Sequence, residues 1–117
     1  MSAPRWLGSV VLREQRDVDG SRRLWAEWSQ GGGIHIEGQD LGPGVERAWG
    51  EGNDEYEWAW TIGPEGTAAM VAAIGGADGD DPLQRLKAWY DAGAGMDPGI
   101  HLREAGVPIE FWSRVGG

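Results

Sequence analysis

The sequence predicts an α+β fold: an antiparallel sheet of about four to five strands with two to three short helices packed on one face. Two observations predict it. Up to Ile62 the apolar residues alternate with polar ones at period two. Beyond Pro64 the pattern changes to helical spacing, and two segments open with Asp-Pro. The chain reads as one domain over residues 1–117, with residues 1–8 a loose lead-in.

The elements follow in order. "VVLREQRDV" and "RLWAEWSQ" flank Asp19-Gly20, a two-residue turn signal, and read as a hairpin of Val10–Asp17 and Arg22–Gln30. Gly31-Gly32-Gly33 marks a second turn. "GIHIEGQDL" is a third strand, with Ile34 and Ile36 on one face and His35 and Glu37 on the other. "GPGVERAWG" fits one short helical turn or a loop, because Pro43 can start a helix and Gly50 can end one. "EYEWAWTI" alternates most clearly. Tyr56, Trp58, Trp60 and Ile62 point one way, which predicts a strand with one buried aromatic face.

The second half is helical. "PEGTAAMVAAIGG" is Ala-rich and ends at Gly75-Gly76. "DPLQRLKAWYDAG" has Asp81 to cap, Pro82 at the first position and Gln84 three residues on, a capping-box arrangement. "DPGIHLREAG" repeats the formula, with Asp97 as the cap and Gly106 as the stop. "VPIEFWSRV" is a last strand. Ile109, Phe111 and Ser113 alternate there with Glu110, Trp112 and Arg114, and the strand is expected to return to the sheet.

Composition narrows the function classes. The 117 residues carry a formal charge of -9, which repels nucleic acid and anionic lipid. Arg13, Arg16, Arg22 and Arg23 cluster on the first hairpin. Glu14, Asp17, Asp19 and Glu27 interleave with them, as in cross-strand ion pairing and unlike a phosphate-binding stripe. No cysteine is present, so neither disulfides nor a thiolate zinc site is available. No apolar run approaches the roughly 20 residues of a membrane helix, and "MSAPRWLGSVVLREQ" lacks the apolar stretch of a signal peptide. A soluble, cytoplasmic protein is expected.

Chemistry, if any, belongs to the acidic middle. Between Ile34 and Trp60 the chain gathers Glu37, Asp40, Glu46, Glu51, Asp54, Glu55 and Glu57. "NDEYE" and "DGDD" lack the ligand ladder of a calcium loop, so no metal or cofactor is expected. No Ser has a base and an orienting partner. His35 and His101 stand far apart, so no catalytic residues are assigned. Gly38 after Glu37 suggests a bulge or a close backbone approach, and Asp40 stands where it could cap the following turn. Trp28, Trp58, Trp60 and Trp89 fit the core. Trp25, Trp49 and Trp112 lie on the other face or in a loop, and exposed tryptophans are good interface anchors.

The segments "GIHIEGQDLGPGVE", "EYEWAWTI" and "AGVPIEFWS" resemble those of a family of small bacterial proteins, common in actinobacteria. That family shares an EGQDLG segment, an EYEW strand and a terminal GIP-x-EFW element, and here Val107 stands in place of the Ile. The resemblance spans the chain from about residue 12. It implies the fold and carries no catalytic residues. The small acidic chain is also similar in style to immunity proteins of bacterial toxin systems.

The function this predicts is non-enzymatic binding of the immunity or antitoxin type. An acidic face (Glu37, Asp40, Glu46, Glu51, Asp54, Glu55 and Glu57) would meet a basic protein partner such as a toxin, with Trp49 and Trp112 as anchors. One alternative is a small enzyme or ligand-binding protein with a carboxylate site at the EGQDLG strand end. Another is a self-associating structural protein that pairs as a homodimer through an exposed edge strand or a tryptophan patch.

Overall fold

The computed structural model describes residues 8–94 and 96–117. The predicted lead-in therefore lies outside the described residues except for Gly8, whose carbonyl accepts the Trp28 N–H at 3.0 Å.

Among the described residues five strands form one antiparallel sheet in sequence order: β1 (Ser9–Asp17), β2 (Gly20–Trp28), β3 (Ile34–Leu41), β4 (Glu55–Ile62) and β5 (Glu110–Gly116). The expected α+β architecture is present. Among the described residues four α-helices accompany the sheet, one more than the upper expectation: α1 (Pro43–Trp49), α2 (Thr67–Ala73), α3 (Pro82–Trp89) and α4 (Pro98–Glu104). The added one is α1, a full helix where the sequence left a turn or a loop open.

The first hairpin turns at Val18-Asp19, one residue earlier than expected, and Gly20 already pairs with Asp17. The reason is Gly20's left-handed φ of 123°, together with the backbone of Leu41 lying where a side chain would stand. The bulge that Gly38 suggested occurs elsewhere. β3 pairs with both neighbours without interruption, whereas β1 bulges between Val11 and Arg13. The extra residue turns Leu12 into the core.

Strand parity then fixes the layers. Leu24, Ala26, Ile34, Ile36, Trp60 and Ile62 face the helices. There they meet Met70 and Ile74 of α2, Leu83 and Leu86 of α3, and Leu102 of α4. Burying a side chain of this size stabilises by about 1.5–3 kcal/mol, so this layer dominates the fold's energetics. The buried face of β4 is shorter than expected. Trp60 and Ile62 are buried, but Tyr56 and Trp58, at the end of the strand nearest α1, are only half-buried.

Both Asp-Pro starts form caps. Asp81 accepts the Leu83 N–H at 2.9 Å and Asp97 accepts the Gly99 N–H at 2.9 Å. The reciprocal half of the predicted capping box is not made: among the described residues Gln84 forms no bond back to the cap, and its side chain is exposed. Beyond Trp89 the helix loosens into a wider turn over Tyr90–Ala94, where Gly93 reverses the chain at φ 98°.

Candidate functional site

The antiparallel register sorts the acidic residues by parity. Odd positions of β3 (His35, Glu37, Gln39) and of β4 (Glu55, Glu57, Ala59) point to the face that no helix of the described residues covers. Asp40 and Tyr56, which pair with each other, point to the helix side. The seven carboxylates singled out by the sequence are therefore not brought to one surface. Glu37, Glu55 and Glu57 share the helix-free face. Asp40 lies on the opposite one. Glu46 and Glu51 belong to α1 and the turn after it, and Asp54 precedes β4.

Across the helix-free face runs one rung of paired residues: Val11, Trp25, Glu37, Ala59 and Trp112. Trp112 is 50% exposed. Trp25 is half-buried under the Arg23 guanidinium, 4.8 Å from its ring, and its indole donates to Glu27 at 3.4 Å. Beside this rung lie Glu27, His35, Thr61 and Glu110, paired in that order. His35 Nε2 stands 3.5 Å from Glu37 Oε1. On the other side Arg114 of β5 holds both Glu55 (2.7 Å) and Glu57 (2.9 Å) through one nitrogen, Nη2. The two carboxyls respond oppositely. A hydrogen bond to Glu57 raises the pKa of Glu55, and the hydrogen bond from Arg114 lowers that of Glu57.

The helix side has a second feature beside α1. Asp40 lies between Arg22 on β2 and Tyr56 on β4, in a small hollow of about 110 Å³ shared with Trp49 of α1. Burial raises its pKa, and Arg22 and then Arg13 pull it back. Asp40 does not cap the next helix: the capping position of α1 is Gly42, with no side-chain bond. Trp49, Tyr56 and Trp58 stack in succession at centroid distances of 5.5 and 5.2 Å. Trp49 is 53% exposed at the outer end of the stack. Glu46 is engaged by the Gly52 N–H at 3.0 Å.

Asp97, read in the sequence only as a cap, does more. Its Oδ2 accepts the indole N–H of Trp58 at 3.0 Å and that of Trp60 at 3.1 Å. The rings lie flat on backbone. A side chain at Gly38 would enter the Trp58 ring, and one at Gly99 would enter that of Trp60, so the Gly38 signal marks close approach. Tyr56, Trp58, Trp60, Asp97, Arg103 and Phe111 border an open groove of about 300 Å³. The two histidines part company: His35 belongs to the helix-free face, while His101 Nε2 bonds the Ala73 carbonyl at 2.8 Å and its ring lies tilted against Trp89 at 4.8 Å.

Among the described residues no cluster of three or more His, Asp or Glu is arranged to hold a metal ion, and no helix is long and apolar enough to cross a membrane. Arg114, Asp97 and Glu110 are the site residues that the sequence reading passed over. Only Glu110 and Arg114 carried a signal, since both alternate onto the same face as Trp112. No family model, curated protein or solved structure matches this chain.

Proposed function

We propose that this chain is a non-enzymatic binding protein of the immunity or antitoxin type, and that it docks a basic protein partner on the helix-free face of its sheet. The observation that supports this is Trp112. It stands half-exposed opposite Ala59, between Glu110 and Arg114, on a face where none of the described helices lies over it. An exposed indole in a polar surround has the chemistry of an interface anchor.

The charge of the face selects the partner. Among the described residues, Glu14, Glu27, Glu37, Glu55, Glu57 and Glu110 share it with Arg16, Arg23 and Arg114. Six carboxylates against three guanidiniums leave the face acidic, so a basic surface would be steered toward it. The test is affinity capture at low and high salt, with Trp112→Ala in parallel. A basic protein held by the native chain, released by salt and lost with Trp112→Ala is expected. Equal recovery by the variant, or no basic protein at either salt, counts against the reading.

A second reading rests on Asp40. A partly buried carboxyl with a raised pKa, set beside Arg22 and Tyr56 in a hollow, is the kind of group that binds or transforms a small polar ligand. A compound that raises the melting temperature of the native chain but not of Asp40→Asn would favour this reading over the first.

A further inference from the structure

The sheet has two edges, and they are built differently. β1 carries a bulge between Val11 and Arg13 and the run Arg13, Glu14, Arg16 and Asp17, all devices that discourage another strand from pairing. β5 pairs regularly with β4 and has no bulge and no proline. It is the most exposed strand, and it shows a large aromatic on each side: Phe111, 47% exposed, toward the helices, and Trp112 on the helix-free face. Phe111 is braced against Trp60 at a centroid distance of 4.5 Å.

The order of side chains along β5 identifies an occupant. Glu110 and Arg114 have opposite charges, point to the same face and stand equally far on either side of Trp112. If the strand is laid antiparallel against itself with Trp112 on the axis, each Glu110 falls opposite an Arg114 and each Phe111 opposite a Ser113. A two-fold contact of this kind is self-complementary. Arg114 has capacity for the added carboxylate, because its bonds to Glu55 and Glu57 both leave from Nη2.

We propose that the chain pairs with a second copy of itself along β5, in the register centred on Trp112, to give a continuous ten-stranded sheet. This does not depend on the binding reading above, since it concerns the purified chain alone. One strand pair with four aromatic rings falls short of the roughly 1,200 Å² of a permanent interface, so the dimer exchanges and its population follows concentration. The charge of -9 on each copy opposes association at low ionic strength. The measurement therefore belongs at about 0.15 M salt, where the screening length is about 8 Å.

Light scattering or sedimentation across a concentration series is expected to show the mass rising from 12.6 kDa toward twice that value. Glu110→Arg sets like charges opposite Arg114 twice over and is expected to weaken the dimer by about tenfold or more. Register is read by cross-linking, because the chain has no cysteine of its own. In Trp112→Cys the two thiols face each other across the axis and join under mild oxidation. In Glu110→Cys they lie about 13 Å apart along the strands, beyond disulfide reach. A mass of one chain at every concentration overturns the proposal. So does a dimer indifferent to Glu110→Arg, or one that cross-links as readily at 110 as at 112.

Discussion

The indole N–H of Trp60 donates to Asp97 Oδ2 at 3.1 Å. This bond joins β4 to the N-cap residue of α4, and the same oxygen also takes the Trp58 indole. Asp97 Oδ1 meanwhile accepts the Gly99 N–H. One carboxylate thus satisfies three donors from two layers.

Removing that carboxylate leaves two indole donors and a helix end without a partner. Asp97→Ala is expected to cost about 2–4 kcal/mol of stability, from the lost cap and the unsatisfied donors together. Asp97→Asn keeps acceptor capacity on one atom only and is expected to fall between the native chain and Asp97→Ala. Urea unfolding with tryptophan emission measures both. A loss below about 0.5 kcal/mol for Asp97→Ala would show the bonds to be incidental.

Gly38→Ala places a methyl where the Trp58 ring lies. The ring must lift, and its bond to Asp97 must lengthen. A cost of about 1–3 kcal/mol is expected, with a red shift in tryptophan emission as Trp58 meets water. Gly31→Ala is the control: its position is exposed with open space around it, and a change within about 0.5 kcal/mol is expected. Equal effects at the two positions would mean that the ring does not need the glycine.

Asp40 and Glu57 should answer pH with opposite signs. Burial raises the Asp40 pKa above the ordinary 3.8, so the folded chain holds that proton more tightly than the unfolded one. Stability from this group falls as pH rises through the window above 3.8. Asp40→Asn should therefore stabilise slightly at pH 7, by less than about 1 kcal/mol because the group stays partly solvated, and give no gain below pH 3.8. Glu57 is the reverse case. Arg114 lowers its pKa below the ordinary 4.5, so its contribution is present above that value and is lost as pH falls. Arg114→Gln should then destabilise at neutral pH, more at low salt than at high salt, and converge with the native chain in acid. Melting curves from pH 3 to pH 8 test both signs.

The strands were legible because parity and burial agree: Leu24, Ala26, Ile34, Ile36 and Trp60 all fall on the period-two positions that meet the helices. The helix starts were legible because Asp-Pro fixes both a cap acceptor and a first-turn φ. The acidic middle was misleading for a related reason. Its seven residues are close in sequence, but the same alternation that places Ile34 and Ile36 inward also places Asp40 on their side, away from Glu37. Reading parity through to the end of β3 would have divided the group. The partnership of Asp97 with Trp58 and Trp60 left no trace in the sequence, because it depends on how α4 crosses the sheet, and separations of 39 and 37 residues carry no period.

The strand order has a consequence for the newborn chain. The first four strands are successive neighbours and can zip together as soon as they leave the ribosome, but α2, α3 and α4, which cover most of their oily side, are made afterwards. Until translation passes Asp97, the indoles of Trp58 and Trp60 have no acceptor, and until it passes Gly116, β4 has an open flank. A stall between residues 62 and 97 would leave a sticky four-stranded intermediate, the point in this protein's life at which a chaperone has most to hold.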